Sequence, residues 1–291
     1  MKKNTSFLHR VAQDIFTRYQ NKELDFAKLV VVFPNKRASL FFNKELANIS
    51  ESPIWAPQYQ TISDLFLTLS PYTPIDPISC ICELYRCYQK VLNSNELIDD
   101  FYGWGEVLLS DLNDIDKQLV SVDDLFQSIE NWNNLTATAD FLTEEQVSAI
   151  QKYFSSFSPE ESDKTKLRFI NLWKAMPAIY KSLNDNLKAI GFLYDGALCR
   201  DVVENHLDKI GKDKTYVFVG FNVLTKVQEK LLQQIHAQGN ALFYWDYDDR
   251  LNEKSEGLAR LMYDASVFIR HYEKRMPNAL SFDNEEVSDV S

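Results

Sequence analysis

The chain has 291 residues, 45% of them hydrophobic and 25% charged, with a formal net charge of −11. That length and apolar content predict one large or two smaller globular domains. No stretch approaches the apolar length of a membrane span, and Met1-Lys2-Lys3 leads into a polar, amphipathic helix rather than the apolar core of a secretion signal, so a cytoplasmic protein is expected.

In chain order, Phe7 to Tyr19 has the period of an amphipathic helix. Leu29-Val30-Val31-Val32-Phe33 reads as a strand buried on both faces, and Pro34 ends it because proline donates no ladder hydrogen bond. Ala38 to Ile49 follows as a helix, with Leu40, Phe41, Leu46 and Ile49 at helical spacing. Pro57 to Thr61 is a short strand, and Ser63-Asp64 is placed to cap a helix from Leu65 to Leu69. Three prolines between Ser70 and Pro77 mark a boundary. Ile78 to Lys209 is helical in pattern, with candidate helices Ile78–Leu92, Trp104–Ile115, Val122–Ile129, Glu144–Phe157, Leu167–Ile190 and Ala197–Ile210. Thr143 to Gln146 has the form of a capping box, and Pro177 is expected to kink or break its helix. The α/β pattern resumes with strand Tyr216–Val219, helix Lys226–Ala237, strand Ala241–Trp245 and a last helix near Gly257–Lys274. The predicted organisation is a split α/β core, 1–70 plus 211–280, an all-helical insertion, 71–210, and a disordered acidic tail, 281–291.

The first strand delivers Asn35, Lys36 and Arg37 to the carboxyl edge of a sheet, where open α/β folds bind ligands. Two cations and an amide there suit a phosphate; a solvated turn is the plainer reading. The sequence Val32-Phe33-Pro34-Asn35-Lys36-Arg37-Ala38 resembles the T-F-T-N-K-A-A segment of superfamily-one helicases of the UvrD/Rep type, which touches single-stranded DNA. Gln60-Thr61-Ile62-Ser63-Asp64-Leu65-Phe66 resembles their following T-F-H-S segment. Val217 to Thr225 stands where they carry V-D-E-x-Q-D-T, and Ala241 to Asp246 where a strand ends in G-D. Four such matches, in order and each at a strand end, imply a P-loop-NTPase-like parallel sheet with a large helical insertion. Those helicases insert helices at the same place.

Nucleotide hydrolysis is not expected. Met1 to Ser6, ahead of the first helix, holds no glycine for a phosphate-cradling loop. Gly220-Phe221 replaces the Asp-Glu that holds magnesium and activates water. Gly220, Phe221 and Asp246 thus mark a degenerate nucleotide site. A helicase-like fold without its motor is similar to the N-terminal region of AddB-type subunits of bacterial helicase-nucleases, including relatives in Bacteroidetes-like bacteria. The phrases Phe101 to Asp111, Phe141 to Gln146, Val217 to Asn222 and Phe243 to Asp248 carry that resemblance. It implies a role in double-strand-break repair, a downstream RecB-type nuclease domain and a motor subunit as partner. The nuclease carboxylates have no counterpart here, so this chain is expected to be an N-terminal piece. The DNA-contacting candidates are Asn35, Lys36, Arg37, Thr61, Ser63 and Trp245, with single-stranded DNA the expected ligand. The alternatives are a structural docking module that never touches DNA and a divergent nucleotide-binding enzyme.

Charge is uneven. Val91–Asp163 holds sixteen acidic and two basic residues, whereas Met1–Ser50 holds four acidic and nine basic. Lys164–Arg200 is also basic, seven residues against two. The acidic lobe repels phosphate, so DNA contacts belong on the basic segments. The lobe reads either as a solvated helical surface or as a docking face for a basic surface of a partner subunit or another domain, or as a guard that keeps DNA in one channel. Asp111, Asp114 and Asp116 read as surface charge, not a metal site, and Asp246, Asp248 and Asp249 as loop acids or partners for Lys36 and Arg37. Of the aromatics suited to stacking bases, namely Tyr102, Trp104, Trp132, Tyr244, Trp245 and Tyr247, the pair Trp245 and Tyr247 is expected exposed beside Lys36. Cys80, Cys82, Cys87 and Cys199 fit neither a zinc pattern nor a disulfide framework, and no histidines stand at i, i+4, so no metal or cofactor is expected.

Overall fold

A computed structural model describes residues 6–50, 52–130, 159–247 and 256–280, with side chains described except over 127–130 and 159–170. The elements run α1 (Phe7–Gln20), β1 (Leu29–Phe33), α2 (Lys36–Ile49), β2 (Gln58–Thr61), α3 (Ile62–Leu69), β3 (Thr73–Pro74), α4 (Pro77–Leu92), α5 (Ile98–Lys117), α6 (Val122–Glu130), α7 (Pro159–Ala189), β4 (Phe192–Leu193), α8 (Asp195–Asn205), β5 (Thr215–Val219), α9 (Lys226–Ala237), β6 (Ala241–Tyr244) and α10 (Gly257–Glu273). The predicted helix Glu144–Phe157, the capping box at Thr143 and the acidic tail lie outside the described residues.

The chain divides into two compact units, Met1–Ser70 with Asp201–Ser291, and Pro71–Arg200. One division falls in the proline-rich stretch. The other lies inside α8, upstream of the Gly211–Lys214 loop expected from the sequence.

The first unit is α/β. Its sheet has four parallel strands in the order β2-β1-β5-β6. All five residues of β1 are buried, as its unbroken apolar run requires of a strand covered on both faces. Alternate residues face opposite sides. Val31 and Phe33 pack with Val217, Val219 and Tyr244 against Val11, Ile15 and Phe16 of α1 and Phe42 and Leu46 of α2. On the other side Phe218, Phe243 and Trp245 stack in sequence, with ring centroids 5.3 and 5.7 Å apart. A polar clamp holds α1 in place. The Tyr244 hydroxyl donates to Asp14 at 2.6 Å, and Arg18 Nε donates to the same oxygen at 2.8 Å. Burial, then the Asp14 hydrogen bond, pushes the Tyr244 hydroxyl pKa far up, so it stays a donor.

Among its described residues the second unit is helical apart from turns and the short parallel pair β3–β4. Tyr88, Phe101 and Trp104 form one aromatic cluster joining α4 to α5. Pro177 sits inside α7, which continues past it. The acids of α5 divide by face. Asp111 and Asp114 are exposed, as expected, but Asp116 is completely buried and is not surface charge. It accepts hydrogen bonds from Tyr180 (2.6 Å), from Tyr194 and from Arg200 Nη1 (3.3 Å). Arg200 also donates to the Val120 carbonyl at 2.9 Å. Burial raises the Asp116 pKa, while the two tyrosines and Arg200 pull it back.

Asp116→Ala removes the buried carboxylate that Tyr180, Tyr194 and Arg200 share. The expected cost is about 3–5 kcal/mol, the scale for breaking a buried pair from one side. Asp111→Ala and Asp114→Ala should change stability by less than about 0.5 kcal/mol. Denaturant unfolding of the three variants checks both statements.

Candidate functional site

In a parallel sheet all carboxyl ends lie at one edge. From β1 the chain crosses through α2 to β2 on one side, while β5 lies on the other. The crevice between the exits of β1 and β5 is therefore the switch point at which such sheets bind ligands. The register places Phe33 opposite Thr61 and Val32 opposite Phe218, so the exits of β2, β1 and β5 stand side by side.

Asn35 is the N-cap of α2. Its backbone is extended, and its side-chain oxygen accepts from the Ala38 N–H at 3.1 Å. That cap starts the helix at Lys36, earlier than the Ala38 expected from apolar spacing. Asn35 is thus occupied in building the turn. Lys36 and Arg37 occupy the first helical turn, and both are exposed.

Thr61 is the N-cap of α3 and forms a reciprocal box with Asp64. Thr61 Oγ1 accepts from the Asp64 N–H at 3.1 Å, and the Asp64 carboxylate accepts from the Thr61 N–H at 3.0 Å and from its hydroxyl at 2.7 Å. This corrects the expected Ser63-Asp64 cap. The helix begins at Ile62, and Ser63 is an exposed residue of its first turn. The Asp64 pKa is held below its ordinary value by the Thr61 hydroxyl, then by the Thr61 N–H, with the field of Lys36 adding to both. Lys36, Arg37, Thr61 and Ser63 thus share one edge, at the adjacent exits of β1 and β2.

The exit of β5 is built differently. Gly220 has φ of +71°, a conformation that favours glycine, and its N–H donates to the Tyr244 carbonyl at 3.0 Å. The Phe221 side chain is buried against Phe218. Neither side chain offers a carboxylate to a cation.

Trp245 does not belong to this surface, contrary to expectation. It is 1% exposed, and its indole N–H donates to the Met276 carbonyl at 2.8 Å. Two strand spacings, about 10 Å, also separate β6 from β1, so a side chain there does not flank Lys36. Asp246 is exposed at the β6 exit. Tyr247 is half-buried and donates to Glu273 at 2.7 Å.

Sequence reasoning also misplaced Leu40 and Phe41. They are 73% and 57% exposed, whereas Phe42 and Leu46 fill the core face of α2. Phe42, Leu46 and Ile49 stand at i, i+4, i+7, an inner stripe that overlaps the one running through Leu40 and Phe41. A cavity of about 360 Å³ lies at the opposite, amino edge of β5 and β6, where Arg18, Lys212 and Lys214 stand with Glu23 and Asp213. Among the described residues no cluster suits a metal ion, and no helix is long and apolar enough to cross a membrane.

Compared with models of known protein families and with curated proteins, the chain matches none.

Thr61→Ala should destabilise the first unit by about 1 kcal/mol, the usual scale of a lost N-cap. The Asp64 contribution has a defined pH dependence. Because its folded pKa is lowered, the stabilisation is complete above the ordinary value of 3.8 and disappears as pH falls through the folded value. Melting temperatures of wild type and Asp64→Ala should differ at neutral pH and converge below pH 3.8.

Proposed function

We propose that the first unit is a helicase-like scaffold without nucleotide hydrolysis, whose sheet edge holds the backbone of single-stranded DNA. The reading rests chiefly on Lys36 and Arg37, exposed on the first turn of a capped helix at the switch crevice. A helix N-terminus carries partial positive charge, and two cations there add charge-assisted contacts to a phosphate. Thr61 and Asp64 satisfy one another, which leaves Ser63 as the hydroxyl of α3 open to a ligand. Phe221, buried where a motor carries a magnesium-binding carboxylate, supports a scaffold over an engine. In this reading the chain works in a helicase-nuclease of the AddB type, with a nuclease domain further along the polypeptide and a motor subunit beside it. Its own contacts hold or guide the strand during double-strand-break repair.

A structural docking module is the second reading. The exposed Leu40 and Phe41 favour it, since large apolar side chains in water suit a protein partner.

Fluorescence anisotropy with oligothymidylate over a salt series tests the proposal. Lys36→Ala/Arg37→Ala should weaken binding for every sequence and flatten the logarithmic salt slope by about 1.4, two phosphate contacts at about 0.7 each. Stability should change by less than about 1 kcal/mol, since both charges are exposed. Wild-type binding by the double variant would refute the DNA reading. Calorimetric titration with ATP and magnesium should show no heat of binding; stoichiometric micromolar binding would refute the inactive-motor reading.

A further inference from the structure

The outward face of α2 has a composition of its own. At 100° per residue, Lys36, Arg37, Leu40, Phe41 and Lys44 fall within about 140° of one another. All five are exposed. The one acid of this helix, Glu45, lies at the margin of that arc, one turn beyond Phe41, and its carboxylate accepts from Nδ1 of His9 in α1 at 2.8 Å. The arc therefore carries three cations and two large apolar side chains, with Glu45 at its edge held by His9. Its i, i+4 rows, Lys36-Leu40-Lys44 and Arg37-Phe41-Glu45, form the ridges by which helices pack against helices.

We propose that this face docks an acidic amphipathic helix of a partner protein. Leu40 and Phe41 are the apolar centre, and Lys36, Arg37 and Lys44 are the rim that selects carboxylates flanking the partner's apolar stripe. The arrangement has the anatomy of a protein interface, an apolar centre inside a charged margin. Charge complementarity fixes the partner's sign, and a lysine-flanked helix is repelled. A nucleic acid fits the face less well. Leu40 is the more exposed of the apolar pair and has no ring on which a base stacks. The inference shares Lys36 and Arg37 with the DNA reading and is told apart from it by Leu40 and Phe41, which the DNA reading does not use.

The test uses the whole chain and a synthetic helix of about 18 residues, with leucines at i, i+3, i+4 and i+7 and glutamates on the flanks. A twin carries lysines in place of the glutamates. Anisotropy at physiological salt should show binding of the glutamate helix only. Leu40→Ala/Phe41→Ala should weaken it about tenfold or more, and Lys44→Glu should weaken it by a comparable factor. Oligothymidylate binding should be unchanged in Leu40→Ala/Phe41→Ala, which separates this surface from the one tested by Lys36→Ala/Arg37→Ala. Failure of the glutamate helix to bind overturns the proposal, as does equal binding of the twin. So does a Leu40→Ala/Phe41→Ala variant that binds the helix like wild type. Loss of oligothymidylate binding in that variant, with helix binding kept, would assign the face to nucleic acid instead. Unfolding of the variant, read by circular dichroism, would make both residues structural and likewise overturn it.

Discussion

Strand β1 is covered on both faces and hydrogen-bonded along both edges, and the geometry of the carboxyl edge follows from that confinement. Burying five side chains of the sequence Leu-Val-Val-Val-Phe contributes on the order of 10 kcal/mol before entropy is counted. A strand held so firmly has one exit direction. Pro34 removes the next ladder donor, and Asn35 turns the chain into α2 by accepting from Ala38. Lys36 and Arg37 are exposed side chains on a firmly packed mount. Any ligand they meet finds their backbone already ordered, which lowers the entropy lost on binding.

Each unit also relies on a carboxylate that collects hydrogen bonds from distant elements. Asp14 receives Tyr244 and Arg18, tying α1 to the sheet. Asp116 receives Tyr180, Tyr194 and Arg200, tying α5 to α7, to the segment after β4 and to α8. Both acids pair with a tyrosine and an arginine. A tyrosine keeps its proton when desolvated, so it remains a donor where a second charge would be costly. Such networks fix orientation more than they add stability, because every member must meet the others at once.

The α/β class was legible because its signals are local. A continuous β-branched run marks a doubly buried strand, and polar residues at strand ends mark caps. The exposed Asn-Lys-Arg exit followed from those two facts. Less local features were lost. Leu40, Phe41, Phe42 and Leu46 contain two overlapping apolar faces, and only the packing of α2 on the sheet selects Phe42 and Leu46. Trp245 looked exposed because it lies near the strand edge, yet its indole N–H reaches Met276 beyond α10. Asp116 looked like its neighbours Asp111 and Asp114, but its partners lie 64, 78 and 84 residues away. No window of sequence contains that information.

The pairing of Leu29 with Thr215 sets a timetable for synthesis. β1 leaves the ribosome well before β5, which is not made until the whole second unit has been translated. At typical elongation rates that interval is on the order of 10–40 s. For that time the nascent chain carries a short, uncharged, β-prone segment of the kind that nucleates aggregation. Lys28 borders it on one side and Lys36 with Arg37 on the other. Flanking charges of this sort discourage wrong pairing. The cations at the sheet edge thus have an earlier employment, guarding a sticky segment until its proper neighbour arrives.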